Sequence, residues 1–146
     1  MSVADLLNGM PFAEHLGMEV TAASDGRAVV ELALREEHSS VPGRRVAHGG
    51  VTYALADTAA GAAVISLHHK PTPTVDMRID YLAPATDDLR AEATVVRDGG
   101  GVATAEVTVE DAAGTHVADA RGTFKTGGGD DGGAWGVTPG DDSTPE

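Results

Sequence analysis

Cysteine is absent from the 146 residues. That excludes a disulfide framework, a thiolate zinc site and a cysteine nucleophile. No G-x-S-x-G elbow is present, so no serine has the strained turn that would activate it. No G-x-x-x-x-G-K-[ST] loop offers backbone amides to a phosphate. Lysine is nearly missing, with only Lys70 and Lys125 against eight arginines. The opening stretch MSVADLLNGMPFAEHLG has no basic segment followed by a long apolar run, so it does not read as a secretory signal. Residues 46–67 are poor in charge, but three glycines, many alanines and a central aspartate make them a poor membrane span.

Acid is what the chain has in excess. Its formal net charge of −13 argues against nucleic acid or an anionic membrane surface as a partner. The expectation is a soluble, cytoplasmic protein. Acidic excess with scarce lysine also resembles proteins of high-salt cytoplasm, where a dense carboxylate surface stays solvated.

Two regions follow from composition. Residues 126–146, TGGGDDGGAWGVTPGDDSTPE, have no periodicity and too little apolar surface to order themselves, and they read as a disordered acidic tail rich in Gly and Asp. The tail holds five of the 23 acidic residues and no basic one, which leaves 18 acidic and 10 basic residues, a net −8, on the domain at 1–125. That domain reads as a short helical start, two strands, one long helix and four further strands. Residues 74–83 set Val75, Met77, Ile79 and Tyr81 on one face and Asp76, Arg78 and Asp80 on the other. Residues 102–110 alternate Ala103, Ala105, Val107 and Val109 against Thr104, Glu106, Thr108 and Glu110. Gly99-Gly100-Gly101 and Asp111-Ala112-Ala113-Gly114 are hairpin turns. Connections this short exclude helical crossovers between the last four strands. The fold class is therefore α+β, an antiparallel sheet wrapped on one long helix from Gly49 to about residue 67.

That helix carries one carboxylate, Asp57, in a segment apolar or small nearly all the way round, as a fully buried helix is. A buried carboxylate is costly without a partner. One reading is structural: Asp57 bonds a strand N–H or an arginine and fixes register. The other is chemical. Gly49-Gly50 opens the same helix, where free N–H groups and the dipole favour a negative oxygen and a ligand can approach closely. A carboxylate base or nucleophile with an oxyanion-stabilising helix end is what acyl transfer needs. The only adjacent histidines, His68-His69, read as a helix end rather than a metal site, since neighbours on a helix do not face each other. No motif asks for a cofactor.

HGGVTYALADTAAG (48–61) followed by VDMRIDYLAPA (75–85) resembles the hotdog-fold acyl-CoA thioesterases of the phenylacetate-pathway, PaaI-like branch. The resemblance runs in order over roughly residues 11–125. It implies that Asp57 is the catalytic carboxylate, acting as general base or as a nucleophile that forms an anhydride. Gly49 would present its N–H to the thioester oxygen, and Thr74 would help hold the attacking water. Relatives commonly have Asn before HGG; here Ser40 is the candidate equivalent. His48 is a candidate base, but the helix entry favours a backbone-bonding role. Gly50, Tyr53, Met77 and Leu82 would contact substrate, and Arg44, Arg45, Arg90, Arg97, Arg121 and Lys125 are candidates for the CoA phosphates. The alternatives are a non-catalytic acyl-CoA-binding hotdog protein and a hotdog enoyl-CoA hydratase. The hydratases pair an Asp with a His five residues on, where this chain has Ala62.

Gly49 and Asp57 are eight residues apart, about 12 Å along one helix at ~1.5 Å per residue. One chain cannot easily bring both to one reacting carbon. A two-fold homodimer with antiparallel long helices can, and shared sites in a homodimer, assembled further into a homotetramer, are also what the resemblance implies.

Overall fold

The computed structural model describes residues 1–127, so the proposed tail at 126–146 lies outside the described residues except for its first two positions. Thr126 and Gly127 are described, and Thr126 is buried. Its N–H donates to Gly101 C=O at 2.9 Å and its hydroxyl to Gly100 C=O at 3.0 Å, tying the end of the last strand to the glycine hairpin.

Two short helices, α1 (Val3–Asn8) and α2 (Pro11–Leu16), lead into β1 (Met18–Ser24) and β2 (Arg27–Leu32). After a single 3-10 turn (Glu36–His38) comes the long helix α3 (Gly49–His68), then β3 (Thr74–Tyr81), β4 (Leu89–Asp98), β5 (Val102–Asp111) and β6 (His116–Lys125). All six strands join one antiparallel sheet in the order β1-β2-β4-β5-β6-β3. The chain therefore places β3, which follows α3 directly, at an edge beside the last strand.

Alternation decides which face of the sheet meets the helix. Leu89, Ala91 and Ala93 of β4, Ala103, Ala105, Val107 and Val109 of β5, and Ala118 and Ala120 of β6 are all buried. Across from them lie Leu55, Ala56, Ala59, Ala60, Ala62 and Ala63 of α3. Alanine on both surfaces lets the helix lie close against the sheet, with Phe124, Leu32 and Leu55 filling the wider gaps. By length and composition α3 could cross a membrane, yet 56% of its apolar window is buried in this packing. It is the core helix.

Two expectations need correction. The helix is not buried all round: Tyr53 is exposed, and Ala54, Asp57, Thr58, Gly61 and Ile65 are only partly covered. The apolar face of β3 is covered only at Met77 and Ile79, while Val75 and Tyr81 are 62% and 52% exposed. The reason is shared. An edge strand has a neighbour on one side only, and a register shift between Thr74 and Asp76 turns Val75 out of the pleat.

Candidate active site

The His48-Gly49-Gly50 run is a helix N-terminus with each residue assigned a job. His48 is the N-cap, and its Nδ1 accepts the Gly50 N–H at 2.8 Å. A Cβ on residue 50 would stand 3.0 Å from that nitrogen, so glycine there lets the imidazole close over the helix end. At residue 49 a Cβ would meet the Tyr81 ring and hydroxyl at 3.2 Å. Tyr81 uses that space: its hydroxyl donates to Gly49 C=O at 2.7 Å. Partial burial, and then the neighbouring Tyr53, hold the Tyr81 phenol above its ordinary pKa, which keeps it a donor. Among the described residues the Gly49 N–H has no acceptor. It is one of the free donors of the first helical turn, at the positive end of the dipole.

The loop that delivers this helix is organised from within. His38 is buried, and its Nδ1 accepts the Arg35 N–H at 2.9 Å. Its carbonyl accepts the His48 N–H at 2.8 Å, which sets where the helix begins. Ser39 does the rest, its hydroxyl accepting the N–H groups of Val41 and Val46 at 3.0 and 3.1 Å. Ser40, the sequence candidate, is exposed, and its hydroxyl makes only a 3.5 Å contact to Val46 C=O. The sequence reading assigned no role to His38, Ser39 or Tyr81. For Tyr81 a signal existed in the run Tyr81-Leu82-Ala83-Pro84 that closes the VDMRIDYLAPA segment.

Two turns along α3, Asp57 is half-buried rather than sealed in the core. The Thr74 hydroxyl donates to its Oδ1 at 2.7 Å, leaving Oδ2 without a partner among the described residues. Thr74 is the first residue of β3, beside the register shift, so the edge strand aims one hydroxyl at the one carboxylate of the helix. Among the described residues no arginine and no strand N–H bonds Asp57, and its one tie to the sheet is the Thr74 hydroxyl.

Asp57 and Gly49 open into different hollows. A cleft of about 420 Å³ is lined by Asp57, Thr58, Gly61, Thr72, Thr74 and Phe124, among others. A second, of about 430 Å³, is lined by Gly49, Thr52, Tyr81, Leu82 and Pro84. Tyr53 stands on α3 between the two, its hydroxyl 3.3 Å from Met77 C=O. Leu82 thus joins Gly49, while Met77 and Tyr53 lie between the clefts and Gly50 is taken up by the cap. Of the cations named for CoA phosphates, Arg90 pairs with Glu92 and Glu31, and Arg121 with Glu106. Arg44 and Arg45 are exposed on the turn that enters α3.

An antiparallel six-stranded sheet wrapped on one long helix, with a carboxylate mid-helix and a free helix N-terminus, is a hotdog thioesterase architecture. The chain belongs to the thioesterase superfamily, whose family model matches residues 45–118. It is 40% identical over 121 residues to a Halobacterium salinarum protein provisionally named an esterase, covering 75% of this chain and 80% of that one. It is 27% identical over 136 residues to the Escherichia coli medium/long-chain acyl-CoA thioesterase YigI, covering 81% and 86%. Among solved structures, the phenylacetic acid degradation protein PaaI of Thermus thermophilus superposes with a TM-score of 0.72 at 35% identity, covering 80% of this chain and 98% of that one.

Proposed function

We propose that the protein hydrolyses an acyl-CoA thioester to the free acid and CoA in the cytoplasm, with Asp57 as the catalytic carboxylate. The observation that carries this reading is the Thr74–Asp57 hydrogen bond of 2.7 Å in an open cleft. It holds one carboxylate oxygen and leaves the other to act. As general base, Asp57 takes a proton from water while the water oxygen attacks the thioester carbon. The carbonyl oxygen gains charge and is met by the Gly49 N–H. The C–S bond then breaks, and the CoA thiolate leaves with the proton. As nucleophile, Asp57 attacks the thioester carbon, the C–S bond breaks and CoA thiolate leaves. Water then opens the mixed anhydride to the free acid and the restored Asp57 carboxylate, the water's two protons going to the acid and the CoA thiolate. Thr74, by its bond to Oδ1, orients the carboxylate in either case.

The placement of Gly49 and Asp57 in separate clefts supports a shared site. A second copy related by a two-fold axis would bring its Gly49 to Asp57 of the first, and the homodimer would carry two such sites, with a homotetramer as its further assembly. The uncovered helix stripe and the exposed Val75, Tyr81 and Leu82 give that copy a surface to cover. No step needs a metal or cofactor.

The test is release of free CoA, read by thiol trapping on a panel of acyl-CoAs, for the native protein and for Asp57→Asn. Asn keeps the shape and removes the basicity, and kcat should fall by about two orders of magnitude or more. Retention of more than about a third of native kcat removes Asp57 from the mechanism.

A further inference from the structure

The stripe of α3 that carries Asp57 continues through Gly61 and Ile65 toward His69, one residue per turn. The Asp57 cleft ends against Leu7, Met10, Ile65 and Pro71. The same four residues line a larger opening of about 720 Å³ beneath α1, whose outer wall includes Leu6 and Val3. A chain passing between those four residues would join the two hollows into one groove along α3. Its roof is pinned, because the Asn8 side chain bonds Val20 of β1 through both its amide groups, at 2.7 and 3.0 Å.

Gly61 is the second observation. Glycine is a poor residue for a helix interior. Packing does not require it here: a Cβ at 61 would meet only Phe124 Cε1, at an ordinary 3.6 Å. What the missing side chain leaves is room in the groove one turn beyond Asp57. A third observation marks the reacting end. Thr72 is only 7% exposed, lines the Asp57 cleft, and its hydroxyl has no partner among the described residues. A buried hydroxyl without a partner points to a guest or a water with a polar atom beside it.

We propose that this groove holds the acyl chain of the thioester, that the substrate class is an unbranched aliphatic acyl-CoA, and that Gly61 keeps the channel open. The proposal rests on the thioesterase reading at Asp57. From Asp57 the groove runs about 12 Å to Ile65 and about 18 Å to His69, at ~1.5 Å per residue. An extended chain with C–C bonds of about 1.5 Å advances roughly 1.25 Å per carbon, so these spans hold about 10 and 14 carbons. Phe12, 58% exposed by the cleft, and Leu6, 59% exposed by the far opening, are apolar side chains that such a chain would cover.

The experiment has two arms on the full chain. In the first, kcat/KM is measured for saturated acyl-CoAs of increasing length and for phenylacetyl-CoA. It should rise about twofold or more per methylene, against about fourfold for complete burial, and level off near 14 carbons. Gly61→Leu should lower the tetradecanoyl-to-butyryl ratio at least ~10-fold, the effect of a few methylenes. Leu6→Glu, a change on the exposed surface that leaves folding alone, should lower the same ratio by acting only at the far end. In the second arm, hydrolysis-resistant S-alkyl-CoA thioethers with butyl and dodecyl chains are titrated against the native protein and both variants. Tighter dodecyl binding that the variants lose, with no CoA release from any ester, retains the groove and rejects the thioesterase reading. Hydrolysis with a flat or falling length profile overturns the groove and leaves the reading. So does an unchanged length ratio in Leu6→Glu and in whichever Gly61 variant, Leu or Ala, folds.

Discussion

The Thr74 hydroxyl lies 2.7 Å from Oδ1 of Asp57, so the first residue of the edge strand holds the only carboxylate of the core helix. Thr74→Val keeps the shape and removes the donor. A hydrogen bond to a charged group contributes about 1.5–3 kcal/mol, so kcat should fall about 10- to 100-fold if that bond orients Asp57 in the transition state. Thr74→Ser should restore most of the rate. Steady-state CoA release for the two variants checks this, and equal rates in Val and Ser would mean the bond is idle in turnover.

Shared sites are testable by complementation between Asp57→Asn and Gly49→Pro. Proline deletes the N–H at the first helical position, where it is tolerated. His48, at φ −56° and ψ 140°, already has the backbone a following proline demands. The new ring crowds Tyr81, so both variants must first be shown to fold and dimerise. Each alone should be nearly inactive. Random 1:1 remixing makes half the dimers mixed, each with one intact site, and should recover about a quarter of native activity. Mixtures that exchange subunits and stay inactive would place both groups in one chain.

Tyr81→Phe removes the bond to Gly49 C=O and should cost about 0.5–1.5 kcal/mol of stability near neutral pH, towards the lower figure because the ring is half exposed. The pH dependence has a definite sign. Burial, then Tyr53, raises the folded phenol above its ordinary 10.0. The stability so gained is complete below about pH 10 and is lost as pH rises through the folded value. Urea melts of both proteins should therefore converge at high alkaline pH. A gap that widens there would contradict the assignment of Tyr81 as the donor.

A formal charge of −13 with two lysines predicts that dilute buffer leaves surface carboxylates repelling one another. Tm should climb with KCl into the molar range. A calorimetric series that is flat or falling would detach the acidic composition from salt tolerance.

Much of this was open to reading because local rules govern it. The period-2 alternation of 102–110, the glycine hairpins and a long apolar segment opened by Gly49-Gly50 are properties of neighbouring residues. They were enough to infer an antiparallel sheet on one helix. Asp57 stood out for the same reason, as the lone carboxylate in that segment. Other features depend on chain ends that meet only after folding. Strand order puts β3 at an edge, which leaves Val75 and Tyr81 open and half-uncovers Asp57, so the apparently buried helix keeps an accessible stripe. Thr74 reaches Asp57 across 17 positions, and Tyr81 reaches Gly49 across 32. Gly61 faces a groove only because α1 and α2 fold back over α3. Composition and periodicity determine which residues go inside. Which of them stays reachable is decided by the order of strands, since only an edge leaves one side of a strand without a neighbour.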